Sequence, residues 1–142
     1  MSSVGRLLDG FGADGARTFR VLGASGQLGY GIPTLALEEG LRRAPHMIGC
    51  DMGSIDIGPF YLGSGEMAPT RHGARRDLRK VLHAALEARI PLVIGSAGSA
   101  GARPHLETTV ALIRDIAKTD GLRFRLATIS ADIPRERLIA AL

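Results

Sequence analysis

The sequence predicts an α/β fold with an open parallel sheet and flanking helices, and three observations predict it. Short apolar runs that end in or beside glycine alternate with helix-like stretches. The connection between each pair of runs is long enough to carry a helix and return the chain parallel to itself. Prolines and glycines fall where such helices should start and stop. Right-handed crossovers turn this β-α rhythm into three layers, with about four strands and helices on both faces.

In chain order, Thr18 to Gly23 (TFRVLG) reads as a short buried strand entering a glycine turn. Pro33 suits the first turn of a helix over roughly Thr34 to Arg43, where its missing N–H is an orphan anyway. Met47 to Asp51 (MIGCD) is a second strand, followed by a polar, glycine-rich loop to about Pro69. Leu78, Val81, Leu82, Ala85 and Leu86 recur at helical spacing, with Arg79, Lys80, His83 and Glu87 on the opposite face. Pro91 ends that helix, and Leu92 to Gly95 (LVIG) is a third strand, too apolar to face water. Pro104 opens a helix whose apolar face carries Leu106, Val110, Ile113 and Ala117, with Lys118 near its end and Gly121 just past it. Phe124 to Ile129 (FRLATI) alternates in a way that predicts a fourth, half-exposed strand near an edge. A last helix begins around Asp132 to Pro134.

With 142 residues the chain forms one domain, read as a flexible N-terminal segment (1–17) and an α/β unit (18–142). An apolar share of 45% argues against disorder, and no apolar run approaches the ~18 residues a membrane span needs. Cys50 is the only cysteine, so no internal disulfide forms and a cytoplasmic location is the expectation. The formal charge of +4 does not point to nucleic acid, because the basic residues are dispersed along helices and stacking aromatics are few. A small sheet leaves an edge unpaired, which predicts a homo-oligomer or a second polypeptide that completes the domain.

The chemistry falls on three loops that leave one sheet edge, where open α/β sheets bind ligands. In the first, Gly23, Gly26 and Gly29 turn the backbone tightly and present bare amides, while Ser25 and Gln27 add donors. The second carries Asp51 and Asp56 as candidate general base and acid, with Gly53, Ser54, Tyr61 and Ser64 as ligand contacts. The third, with Ser96, Gly98 and Ser99, ends before the Pro104 helix, and His105 stands beside it. Arg71, Arg75 and Arg76 lie near a helix start, where the dipole disfavours cations, so one of them is expected to hold an anion or a carboxylate. Arg71 is the one expected to contact the ligand. Together these residues predict a small anionic ligand, a carboxylate or acyl thioester.

Several chemistries are set aside. No lysine follows a glycine run as a P-loop requires, and Ser96 and Ser99 do not fit a nucleophile elbow. Two aspartates without a nearby histidine or glutamate make a weak metal signal, no metal ligand is assigned, and no cofactor is identified. GASGQLG does match the GxxGxxG spacing of NAD(P)-binding short-chain dehydrogenases, but the helix starts late and Asp51 lies beyond the usual spacing of about 20 residues. Dinucleotide binding is therefore the alternative reading. His83 reads as solvated and Cys50 as a core residue.

Taken together, GASGQLGYG, IGCDMGSIDIGPFYLGSG and PLVIGSAGSAGARPHLE resemble the N-terminal part of the acyclic terpene utilisation AtuA-like family, formerly a domain of unknown function. The resemblance runs from about Phe19 to Arg137, and Asp51 to Gly65 is its most specific part. It implies bacterial catabolism of acyclic terpenes and branched acids, carried as coenzyme A thioesters, with the catalytic step unassigned. The family's motifs fall on Ser25, Gln27, Asp51, Ser54, Asp56, Tyr61, Ser64, Ser96 and His105, while Ile55 and Ile57 replace a smaller polar residue and a proline. Family members are longer, so the resemblance covers their first domain. An enzyme domain or subunit is the leading expectation. A truncated binding or assembly module without catalysis is the rival.

Overall fold

The computed structural model describes residues 18–54 and 57–142. The expected N-terminal segment (1–17) and Asp56 therefore lie outside the described residues. The chain folds as an α/β domain with a 3-stranded parallel open sheet and flanking helices, consistent with a Rossmann-like fold. Its elements are β1 (Val21–Ser25), α1 (Thr34–Arg42), β2 (Met47–Asp51), α2 (Phe60–Ser64), α3 (Arg71–Ala88), β3 (Leu92–Gly95), α4 (Arg103–Asp120) and α5 (Arg135–Ala140).

The strand order β1-β2-β3 follows the chain. Ile48 is paired with Leu22 on one side and Leu92 on the other, so β2 is central. Because both crossovers step the same way across the sheet, right-handed connections bring α1 and α3 to the same face. There α1 sits on Leu22, which lies where a side chain on Gly40 would go. Leu28, Ile48, Met52, Leu78, Val81, Leu112 and Ile116 are fully buried in one core between this face and the helices. On the other face Val21 and Val93 are 54% and 52% exposed, so among the described residues the long helices gather on one side.

Local chemistry sets the helix limits. Thr70 caps α3 by accepting the Gly73 N–H at 3.0 Å. Gly121 ends α4 with φ 67°, a left-handed turn that costs glycine nothing. Arg89 ends α3 in the same conformation, φ 56°, although it carries a side chain. Arg75 and Arg79 of α3 hold Asp115 and Asp120 of α4 at 3.0 and 2.6 Å, which clamps the two helices together. His83, expected to be solvated, also reaches Asp120, at 2.8 Å.

Two expectations are corrected. Phe124 to Ile129 does not join the sheet: the segment runs past β3 without a ladder, and three strands form instead of about four. Its alternation places side chains on two sides of an extended backbone, but pairing also needs the neighbour's amides within reach. Here an apolar cavity lies between them. The second loop is also less irregular than expected, because Phe60–Ser64 forms the short helix α2, closed by Gly65 at φ 76°.

Candidate functional site

Ser25, Asp51 and Gly95 end the three strands, with Cys50 beside Ser25 and Asp51 beside Gly95. The loops that follow therefore leave one edge. They are joined through the backbone: Leu28 N–H donates to the Asp51 carbonyl at 2.7 Å, and Met52 N–H to that of Gly95 at 3.1 Å. A side chain on Gly53 would collide with Ser96 and with the Ser99 carbonyl, so glycine is what lets loops two and three touch. Ser99 Oγ accepts the Ala68 N–H at 2.9 Å and closes the far end of loop two onto loop three.

The first loop is held from behind. Asp77 projects from the buried face of α3, is fully buried, and accepts the amides of Gly29 and Gly31 at 2.9 and 2.8 Å on one oxygen. Its other oxygen accepts Arg76 Nε at 2.8 Å. Burial pushes the Asp77 carboxyl up, but the hydrogen bonds from Arg76, Gly31 and Gly29 outweigh it and hold the group below its ordinary value. Lys80 Nζ adds bonds to the Ile32 carbonyl and Thr34 Oγ1, at 2.8 and 3.2 Å, where α1 begins. The amide of Gly29 is thus engaged by a protein carboxylate, while Gly23 and Gly26 are exposed with open space beside them. Ser25 turns the loop by accepting the Gln27 N–H at 3.0 Å, and Gln27 Nε2 is buried without a partner among the described residues.

Asp51 is exposed at the end of β2, with one oxygen accepting the Gly53 N–H at 2.8 Å and the other without a partner among the described residues. Ser54 follows, half-buried. Ser64 is exposed and caps its own turn, accepting the Glu66 N–H at 3.2 Å. Tyr61 packs edge-on against Phe60, and its carbonyl lies 2.7 Å from His105 Nε2. A carbonyl only accepts, so the proton sits on Nε2. His105 is fully buried, its Nδ1 has no partner among the described residues, and it fills the space beside Gly98. It links α2, loop three and α4 beneath the edge. Arg71 is exposed at the start of α3, whose Gly73 lies against the Gly29 carbonyl, and makes no ion pair among the described residues. Arg75 and Arg76 have the carboxylate partners expected for cations at a helix start, Asp115 and Asp77.

Two of the four left-handed residues with side chains among the described residues lie in loop three. Ser96 and Ser99 have φ of 45° and 96°, and Gly98 and Gly101 in the same loop have φ of 66° and 70°. A left-handed backbone costs a residue with a side chain roughly 1–2 kcal/mol, and such outliers gather at ligand sites. Ser96 is exposed beside Gly53, whereas Ser99 is buried.

The residue that the sequence reading missed is Asp77. Its signal is an acid on the apolar face of a helix, between Ala74 and Val81 at helical spacing, where a charge must be paired. Among the described residues no group of three or more histidine, cysteine, aspartate or glutamate side chains is placed to hold a metal, and no helix is long and apolar enough to cross a membrane. Comparison with family models, with curated proteins and with solved structures gave no match.

Proposed function

We propose that the loops at the carboxyl edge of the sheet bind a small anion, a carboxylate or an acyl-coenzyme A ester, in an enzyme domain or subunit of the AtuA-like kind. In this reading Gly23, Ser25, Gly26, Ser54 and Ser96 surround the anionic group, and Asp51 moves a proton at its rim. Arg71 supplies the positive charge. The observation that carries the proposal is the left-handed backbone of Ser96, which stands against Gly53 beside Asp51 at the exposed end of β2. A loop that served only to connect β3 to α4 has no need of serines in a left-handed backbone. The resemblance of the three loop sequences to that family supports the acyl-ester class.

The test is a thermal-shift screen of the purified chain against coenzyme A esters, small branched carboxylates and NAD(P). Binding to the native state alone stabilises by ~2.7 kcal/mol at a hundredfold excess over Kd. A shift with an ester or carboxylate that falls in Ser96→Gly and Ser25→Ala supports the site. A shift with NAD(P) alone favours the dinucleotide reading, and no shift in a well-folded sample overturns the proposal. For an identified substrate, Asp51→Asn should lower turnover at least tenfold; unchanged turnover removes Asp51 from its role.

A further inference from the structure

The gap between β3 and the segment 124–128 is a cavity of about 400 Å³. Leu82 and Ala85 of α3, Leu92 and Ile94 of β3, Ile113 of α4 and Phe124 line it among others. Its volume falls within the range of small-molecule pockets, about 300–1,000 Å³. Among the described residues two charged ones line it, Arg89 and Arg125, and no acidic residue does. Both arginines are exposed, and neither makes an ion pair or side-chain hydrogen bond among the described residues.

The backbone at Arg89 is a second, independent observation. Helix α3 ends there at φ 56°, a position where glycine is the unstrained residue. An arginine in that place spends stability to keep a cationic side chain among the residues that line the cavity, beside Pro91 and the start of β3. Apolar walls with two guanidiniums that have no carboxylate partner among the described residues are complementary to one class of ligand: a carboxylate on a medium-length hydrocarbon chain.

We infer that this cavity is a binding site for a medium-chain monocarboxylate, with the chain between β3, α3 and α4 and the carboxylate on Arg89 and Arg125. The inference does not rest on the reading of the loops. Arg89 precedes β3, whereas those loops follow strand ends.

The full chain is titrated by calorimetry with hexanoate, octanoate and decanoate below their micelle concentrations, beside acetate and octan-1-ol. Affinity should rise about fourfold per added methylene, since each buried CH₂ contributes ~0.8 kcal/mol. Acetate should not bind, and octan-1-ol should bind at least about tenfold more weakly than octanoate. Arg89→Gly removes the backbone strain together with the charge, so it should melt higher than the parent and yet bind octanoate about tenfold more weakly. Octanoate binding in Arg89→Gly that equals the parent's overturns the inference, as does equal affinity for octan-1-ol or no binding of any acid. Amide exchange in the free chain gives a further check. Protection of residues 124–128 equal to that of β2 would mean that a fourth strand closes the space, and the site would not exist.

Discussion

In Asp77→Ala the amides of Gly29 and Gly31 lose the carboxylate that accepts both, and Arg76 loses its counter-ion. An unsatisfied buried donor costs ~1–3 kcal/mol, and breaking a buried ion pair ~3–5 kcal/mol. The structure puts the sum near the low end. Gly31 is exposed and Gly29 half-buried, so water can reach the freed amides, and the Arg76 side chain is 44% exposed and can rehydrate. The expected loss is about 3 kcal/mol for Asp77→Ala. Asp77→Asn should lose about half of that, because its carbonyl can still accept from the glycines while its NH₂ faces the Arg76 donor. Urea unfolding followed by circular dichroism measures both, and amide exchange at Gly29 and Gly31 localises the effect. The pH dependence has a definite sign: a carboxyl held below its ordinary value of 3.8 when folded contributes fully above that value. Its contribution falls as pH drops through the folded value, and the parent should lose more stability in acid than Asp77→Asn does. A loss below about 1 kcal/mol in Asp77→Ala, or unchanged exchange at both glycines, would refute this account of the loop.

Three further outcomes follow from the same geometry. Gly73→Ala gains up to ~1 kcal/mol of helix propensity but drives a methyl into the Gly29 carbonyl, so denaturation should show a net loss of about 2 kcal/mol. Ser96→Gly relieves a left-handed backbone without removing a bond seen among the described residues, and should raise stability by about 1 kcal/mol in the same assay. Burial pushes the Cys50 thiol up to about 11 against a weaker opposing backbone bond from Ala24. Cys50 should therefore ignore a thiol reagent at neutral pH in the folded chain and react fully in denaturant; fast reaction without denaturant would place it outside the core.

Local signals carried most of the fold. β2 and β3 fall where their apolar runs lie, α3 where the Leu78 to Leu86 spacing places it, and the end of α4 at Gly121. Each of these rests on residues close in the chain, where periodicity, caps and breakers act through local sterics and hydrogen bonds. The same locality explains the failure at Phe124 to Ile129: alternation specifies an extended chain, while strand status depends on a partner far away in sequence. The candidate site divides in a similar way. That glycine and serine loops follow each strand was legible in the sequence, and a parallel sheet sends them to one edge. Which amides remain open was not, because the carboxylate that occupies Gly29 and Gly31 comes from Asp77, on a helix distant in the chain. His105 likewise reads as a loop-side candidate, and packing alone turned it inward onto the Tyr61 carbonyl. The sequence by itself determined the parallel α/β class and the loops that could bind. The tertiary structure decided which groups are already engaged, since hydrogen-bond partners far apart in sequence are chosen only when the helices dock on the sheet.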